Sequence, residues 1–229
     1  MSENQLLAAL PTEERERILP HLGRVPLTLG DVVYEADERI RHVYFPTSGV
    51  VSLLCITDDG ASIEAGTIGM EGMAGMPVFL GGDASPNRAV VQVAGEALRM
   101  KSEEFKELAG ENRRFHDLLH LYTYALMNQM SLSVACNRFH SVEKRLARWL
   151  LMMQDRAQVS EFLFTQELIS RMIGTRRPHV STAVGNLHNS GLIHNGRGKI
   201  DILDRDGLMK IACDCYHAAK KRFDGLFSA

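Results

Sequence analysis

Residues 165–202 read TQELISRMIGTRRPHVSTAVGNLHNSGLIHNGRGKIDI and contain two short helix patterns followed by a hairpin pattern. The first helix pattern begins after Thr165, whose side chain can accept hydrogen bonds from backbone N–H groups, and stops at Gly174, which can adopt a left-handed conformation. The second begins at Arg177 and Pro178, because proline is tolerated in a first helical turn, where its missing N–H breaks no hydrogen bond. Two short helices joined by a glycine turn are typical of a helix-turn-helix.

The second helix of this motif has one apolar face and one polar face. The apolar residues recur at the helical spacing i, i+3, i+4, i+7, as Val180, Ala183, Val184 and Leu187. Short polar side chains on the other face would let the helix enter a DNA major groove, and arginine can donate two hydrogen bonds to a guanine edge. A solvated face is the alternative, but residues 174–190 contain neither Glu nor Lys. The predicted base-reading residues are Arg177, His179, Ser181 and Thr182.

The segment after the second helix predicts a β-hairpin. Its apolar ends flank Asn195 and Gly196, a pair that favours a tight hairpin turn. We expect this hairpin to lie beside the second helix as a wing, where cations and backbone N–H groups can follow phosphates without reading sequence. The residues predicted to position DNA in this way are Thr165, Gln166, Arg176, Arg197 and Lys199.

The N-terminal half has a different character, with short apolar runs separated by turn residues. Such runs predict strands, and their spacing favours an antiparallel β-roll behind a short leading helix that starts near Thr12. The predicted strands are residues 32–34, 43–45, 50–56, 62–65, 90–93 and 97–100. After Ser102 the pattern becomes helical, and no Gly or Pro occurs from 111 to 164.

These patterns predict an α+β fold in three parts. They are a β-roll sensor domain (1–110), a connecting helix (111–140) and a winged helix-turn-helix domain (141–229). Along the connecting helix an apolar seam recurs every three or four residues, and it predicts packing against a twin helix in a homodimer. The alternative is that this face only covers the β-domain. The seam residues are Phe115, Leu119, Tyr122 and Leu126, followed by the polar Gln129 and Ser133.

Composition agrees with a DNA-binding module attached to a separate domain. Residues 1–110 carry a net charge of −8, whereas residues 156–229 carry +4. No apolar run reaches the length of about 18 residues that a membrane span requires, so we expect a cytoplasmic protein with no membrane partner. The sequence also lacks G-x-S-x-G, H-E-x-x-H and a phosphate-binding loop, so we expect no catalytic residues and no enzyme.

The cysteines and histidines do not predict a metal site. Cys55, Cys136, Cys213 and Cys215 are scattered along the chain, and the run Cys213-x-Cys215-x-His217 supplies too few ligands at an unusual spacing. We therefore expect free thiols near a helix. The pair His116 and His120 has a helical metal-binding spacing but lacks a third ligand.

Residues 164–203, with the continuation D-R-D-G-L, resemble the C-terminal domain of the catabolite activator and fumarate-nitrate regulator (Crp/Fnr) family. The resemblance implies a homodimer that binds a two-fold symmetric site on double-stranded DNA and contacts RNA polymerase. It also implies that Arg177 is the recognition-helix arginine. Two positions depart from the family, since Pro178 stands where many members have glutamate and Thr182 replaces a second arginine. The target sequence of better-known members is therefore not expected here.

The N-terminal half resembles the cyclic-nucleotide-binding roll of the same family. Carrying its phosphate cassette across places the effector residues at Glu71, Asn87 and Arg88, but the phosphate-binding arginine is shifted by one residue, which turns a side chain to the other face of a strand. We therefore expect an unknown small-molecule effector, or none, rather than cyclic AMP, and no cofactor. A haem sensor has candidates by residue type only, in His21, His42 and Met73. The alternative function is a ligand-binding module that acts on a partner protein and keeps the helix-turn-helix as a scaffold.

Overall fold

The computed structural model describes residues 3–227, which form an antiparallel β-roll, a long helix and a C-terminal helix-turn-helix unit with a small sheet. This confirms the predicted α+β architecture. The strands are β1 (Gly23–Leu27), β2 (Val32–Tyr34), β3 (His42–Pro46), β4 (Val50–Ile56), β5 (Ser62–Ile68), β6 (Arg88–Val93), β7 (Gly95–Lys101), β8 (Glu161–Phe162), β9 (Ile193–Gly196) and β10 (Lys199–Ile202). The helices are α1 (Gln5–Ala8), α2 (Thr12–Ile18), α3 (Met76–Phe79), α4 (Ser102–Glu111), α5 (Arg113–Phe139), α6 (Val142–Ala157), α7 (Gln166–Met172), α8 (Arg177–Asn189), α9 (Arg205–Ile211) and α10 (Cys215–Asp224). Within residues 3–227, no helix is long and apolar enough to cross a membrane.

The β-roll consists of two antiparallel sheets, with strand orders β1-β7-β3 and β2-β6-β4-β5. Its core is aromatic where the roll meets the helices: Phe45, Phe105 and Phe115 have ring centroids 5.9–6.3 Å apart. The sequence predicted every strand of the roll except β1, whose GRVPL sequence has no clear alternation of apolar and polar residues.

A single residue, Asn112, separates the end of α4 from the long helix α5, and a distant side chain stabilises the first turn of α5. The carboxylate of Glu14 accepts hydrogen bonds from the backbone N–H groups of Arg114 (3.2 Å) and Phe115 (3.0 Å). The N-cap residue Asn112 makes no side-chain cap, so the leading helix α2 supplies the acceptor that the helix terminus requires.

The apolar seam of α5 faces its own chain, which corrects the predicted dimer surface. Phe115, Leu119 and Tyr122 are fully buried and Leu126 is 6 % exposed, because they pack into the core of the β-roll. The alternative, that this face covers the β-domain, is therefore right. An apolar helical stripe predicts burial, but it does not show whether the same chain or a second chain provides the cover.

The polar interruptions of the seam are buried as well and bind the neighbouring elements. The side-chain amide of Gln129 lies 3.3 Å from the hydroxyl of Thr67 in β5 and accepts a hydrogen bond of 2.6 Å from Arg156 in α6. Gln129 therefore joins α5 to both the roll and the C-terminal domain, and a buried polar side chain with such partners is accommodated without a large desolvation cost.

Helix α6 starts the C-terminal domain and lies against the β-roll. Ser141 caps it by accepting a hydrogen bond from the backbone N–H of Lys144. The indole of Trp149 donates to the carboxylate of Glu64 in β5 at 3.1 Å, and the hydroxyl of Ser52 donates to the same carboxylate at 2.6 Å. Glu64 is thus a buried acidic group at the contact between the two domains.

Burial raises the pKa of Glu64 from 4.5 to about 7, against the opposing effects of the Ser52 hydrogen bond and of Arg148. The folded chain therefore holds this proton more tightly than the unfolded chain does. The contribution of Glu64 to stability is present below about pH 4.5 and is lost as the pH rises through about 7.

We predict that Glu64→Gln reduces the loss of stability that occurs between about pH 5 and about pH 8, because the neutral amide cannot ionise. Unfolding by denaturant at the two pH values measures the difference. The matched control is Glu38→Gln, which neutralises an exposed carboxyl group and should leave the pH dependence of the wild type unchanged. Equal pH dependence in the Glu64 variant and the wild type would contradict the prediction.

Candidate nucleic-acid interface

The turn between α7 and α8 has the geometry that the sequence predicts. Thr165 caps α7 by accepting a hydrogen bond of 3.1 Å from the backbone N–H of Leu168. Gly174 has φ +58°, which is the left-handed region, and a Cβ built there would lie 2.3 Å from a methyl carbon of Ile63 in β5. The positive φ favours glycine at this position, and an added Cβ would also push aside the flexible end of the Ile63 side chain.

Helix α8 buries the predicted apolar face and exposes the predicted polar face. Its buried residues are Val180, Ala183, Val184 and Leu187, and its exposed residues include Arg177, His179, Ser181 and Thr182. Pro178 lies in the first turn, as the start signal predicts. The helix is held from behind by α6, since Arg145 donates to the backbone oxygens of Ile173 and Gly174 in the turn.

The four predicted reading residues differ in how free their side chains are. The hydroxyl of Thr182 donates to the backbone oxygen of Pro178 at 3.1 Å, and that of Ser181 donates to the side chain of Gln166. Within the described residues the side chains of Arg177 and His179 have no hydrogen-bond or ionic partner. These two side chains are the most available for contact with base edges.

The wing forms as predicted, but its turn lies two residues further along. β9 pairs with β10 in a register that places Gly196 opposite Lys199, so the turn residues are Arg197 and Gly198. Both have positive φ, +49° and +79°, as a type I′ turn requires. The prediction of a turn at Asn195 and Gly196 was wrong. Two glycine-containing pairs, 195–196 and 197–198, can each form a turn here, and the pairing of β10 with β9 places the turn at the second pair. The short strand β8, which pairs with β10, was not predicted.

A groove of about 360 Å³ lies where the wing meets the first turns of α7 and α8. Its lining residues are Phe164, Thr165, Gln166, Arg177, Asn195, Arg197 and Gly198. The groove combines two guanidinium groups with the N-terminal ends of two helices, where unpaired N–H groups favour anions. Of the five predicted positioning residues, it contains Thr165, Gln166 and Arg197.

The other two positioning residues lie outside this groove. Arg176 is exposed and, within residues 3–227, has no carboxylate partner. Lys199 is half-buried and forms an ion pair with Glu161 of β8, and the hydrogen bond to that carboxylate raises the pKa of Lys199. The Lys199 charge is therefore partly neutralised by its own chain, and the wing presents Arg197 as its free cation.

Two of the three predicted effector residues form ion pairs with different partners. The carboxylate of Glu71 forms a buried ion pair with Arg156 of α6 at 2.8 Å, whereas Arg88 pairs with Glu35 at 2.7 Å. Asn87 and Arg88 do not line the cavity that contains Glu71. The alignment of the motif considers only sequence order, so it could not predict that Glu71 forms an ion pair with Arg156 of α6.

A cavity of about 670 Å³, which we call the junction cavity, lies between α1, the roll, α6 and α10. Glu71 and Arg156 line it together with Met152, Tyr216 and Phe223. No sequence motif predicts this cavity, because its walls come from four separate segments of the chain.

The other residues considered as haem or metal ligands pack against neighbouring side chains or pair with charged groups. His21 lies 3.6 Å from Glu104, and Met73 is fully buried in the core. His116 and His120 pack edge to face on each other and on Phe79. Burial lowers the pKa of His42, with Arg99 acting in the same direction.

Three of the four cysteines meet in space, which corrects the view that they are scattered. Cys136, Cys213 and Cys215 lie with His140 so that their ligand atoms are all within 4.8 Å of one another. Cys55 is exposed at the end of β4, and His217 does not belong to the group. The sequence does not predict this cluster, because Cys136 and Cys213 are 77 residues apart in the chain.

Comparison with known proteins identifies both halves of the chain. Residues 24–112 match the model of the cyclic nucleotide-binding domain, and residues 144–211 match that of the Crp-like helix-turn-helix domain. No curated protein matches the chain.

Solved structures share the fold at low sequence identity. FixK2 from Bradyrhizobium japonicum is 18 % identical with a TM-score of 0.71, over 84 % of this chain and 98 % of that one. A transcriptional regulator of the Crp/Fnr family from Eubacterium rectale is 18 % identical with a TM-score of 0.70, over 90 % and 96 %. The c-di-GMP responsive global regulator CLP from Xanthomonas campestris is 17 % identical with a TM-score of 0.68, over 84 % and 99 %.

We predict that the two cations of the wing contribute unequally to binding of duplex DNA. Arg197→Ala should weaken binding to all duplexes and lower the salt dependence by about one released counterion, because its charge is free. Lys199→Ala should have a smaller effect, since Glu161 already offsets that charge. The complementary variant is Glu161→Gln, which removes the carboxylate that offsets the Lys199 charge and should strengthen binding to all duplexes. Binding titrations over a range of salt concentrations test this, and an equal loss from the two cation variants would refute the assignment.

Proposed function

The chain belongs to the Crp/Fnr family of transcriptional regulators, and from this we propose that it acts as a homodimer that binds specific DNA sites in response to a signal other than cyclic AMP. The family comprises regulators and not enzymes. The observation that carries the proposal is the exposed face of α8, where Arg177 and His179 lie unpaired beside a groove that also contains Arg197. The resemblance supports RNA polymerase as a partner and the cytoplasm as the location.

The charge and shape of this face support DNA as its ligand. The side chains beyond Arg177 are short, so the helix can approach base edges, while Arg176 and Arg197 lie at the two sides where phosphates would run. Carboxylates are absent from residues 174–200, so the face does not repel a polyanion. A scaffold without a DNA-binding role has no physical need for this arrangement of unpaired cations.

The outer face of α5 supports a homodimer. Opposite the buried seam, exposed apolar side chains recur every three to seven residues: Leu121 (39 % exposed), Tyr124 (55 %), Met127 (62 %) and Val134 (73 %). We name this set the α5 ridge. Isolated exposed apolar side chains are common, but four along one helix face are typical of an interface between helices. A twin ridge would bring two copies of α8 to the two halves of a symmetric DNA site.

The signal is proposed to be a small molecule that is bound at the junction cavity. The pairing of Glu71 with Arg156 and of Arg88 with Glu35 supports a ligand other than cyclic AMP. A ligand in the junction cavity would contact Arg156, and through it α6, which carries the helix-turn-helix. Small molecules that remain bound to the purified protein, identified by mass spectrometry, test this assignment.

We predict that Val134→Arg converts the dimer into a monomer, because two arginines would face each other across the two-fold axis at the α5 ridge. Sedimentation should then give one 25.5 kDa chain instead of two. The control is Val159→Arg, an exposed valine beyond the end of α6, which should leave the dimer intact. A wild-type protein that is monomeric even with DNA would contradict the dimer.

We predict that Arg177→Ala lowers the preference for the selected site over unrelated DNA by about 10- to 100-fold, because a bidentate contact to guanine is lost. The wild-type site comes first, from selection of bound fragments out of random duplex DNA. Arg171→Ala is the control, since that exposed arginine of α7 is paired with Glu167 at 3.3 Å. Selection that enriches no sequence would favour the scaffold alternative instead.

A further inference from the structure

A cluster of three cysteines and one histidine joins the end of α5 to the start of α10. The sulfurs of Cys136 and Cys213 are 3.4 Å apart, and the sulfur of Cys215 is 3.7 Å from Nδ1 of His140. All four ligand atoms lie within 4.8 Å of one another. The three cysteines are buried and His140 is half-buried. Nothing in the DNA-binding function requires this arrangement.

Local structure places the four residues as two chelating pairs. Cys136 and His140 lie one helical turn apart at the end of α5, where the backbone N–H of His140 donates to the carbonyl of Cys136 at 3.1 Å. Cys213 and Cys215 flank Asp214 in the turn that starts α10, with the N–H of Tyr216 donating to the carbonyl of Cys213 at 2.9 Å. Each pair is thus held on a rigid backbone, and only the packing of α10 against α5 brings the pairs together.

We propose that Cys136, His140, Cys213 and Cys215 form a tetrahedral site for one Zn²⁺ ion. Zinc bound by thiolate and imidazole has bond lengths of about 2.3 Å and about 2.0 Å, which place neighbouring ligand atoms about 3.5–3.8 Å apart. The two separations of 3.4 and 3.7 Å match that spacing, and the 4.8 Å limit on the others leaves only small movements. Three thiolates and one imidazole are a common donor set for structural zinc.

The charge around the cluster fits the same ion. Arg148 of α6 is 7 % exposed, has no hydrogen-bond partner at Nε, and acts electrostatically on all three cysteine sulfurs. Zn²⁺ with three thiolates carries one net negative charge, which compensates this buried guanidinium. The carboxyl of Glu64 also acts on Arg148, but burial favours its uncharged form. A buried cation without a compensating charge is costly.

The donor set distinguishes zinc from two other chemistries. An iron–sulfur cluster takes several thiolate ligands on separate irons, so its ligand sulfurs lie further apart than those of a single ion. A disulfide between Cys136 and Cys213 would use two of the four residues and leave Cys215 and His140 facing each other without a role. A single ion uses all four.

The test measures metal content in the full-length chain purified under reducing conditions. We expect about one zinc per chain by elemental analysis, and Co²⁺ in place of zinc should give the intense visible absorption of tetrahedral thiolate coordination. Cys213→Ser should lower the zinc affinity by at least about tenfold. The control Cys55→Ser removes the exposed cysteine outside the cluster and should retain full occupancy.

If Cys213→Ser fails to fold, His140→Ala serves in its place, because that side chain is half-buried and its loss leaves three ligands. A wild-type protein that binds neither zinc nor Co²⁺, or a Cys213→Ser protein with unchanged zinc, would overturn the proposal. A Cys136–Cys213 disulfide found by mass spectrometry in reducing buffer, or iron with inorganic sulfide, would also overturn it.

Discussion

The buried ion pair between Arg156 and Glu71 determines how the two halves of the chain are arranged. Both groups are almost completely buried, and separating them would leave an uncompensated charge in the protein interior at a cost of several kcal/mol. Arg156 also donates to Gln129 of α5, so one guanidinium connects the roll, the long helix and α6. Because α6 holds the helix-turn-helix from behind, this contact helps to fix the position of α8 relative to the β-roll.

The parts of the fold that the sequence predicts well are those that local interactions determine. The cap at Thr165, the left-handed Gly174 and the apolar face of α8 depend on residues within one or two turns, and all three were predicted correctly. The predicted partner of the apolar seam of α5 was wrong, because the same apolar stripe can pack against a neighbouring sheet or against a second helix. The Cys136–Cys213 contact was missed because it depends on how α10 packs against α5, which no short window of sequence contains.

The sequence predicts which residues lie at the candidate interface, but it does not predict which of their charges are neutralised by neighbouring residues. Exposure of Arg177 and His179 follows from helical periodicity, whereas the pairing of Lys199 with Glu161 arises only when β8 joins the wing. Glu71 shows the same limit, since its ion pair with Arg156 of α6 depends on how the two halves of the chain pack. The family resemblance therefore predicts the fold of this protein better than it predicts which residues would bind a ligand.

The contact between Gly174 and Ile63 has a mechanical consequence. The turn of the helix-turn-helix lies against β5 of the β-roll, so a displacement of that strand would act directly on the turn. A methyl group added at Gly174 would be strained by the positive φ and would displace the end of the Ile63 side chain. The position of α8 therefore depends on the position of β5, and a shift of that strand by about an ångström would move the turn before α8 with it.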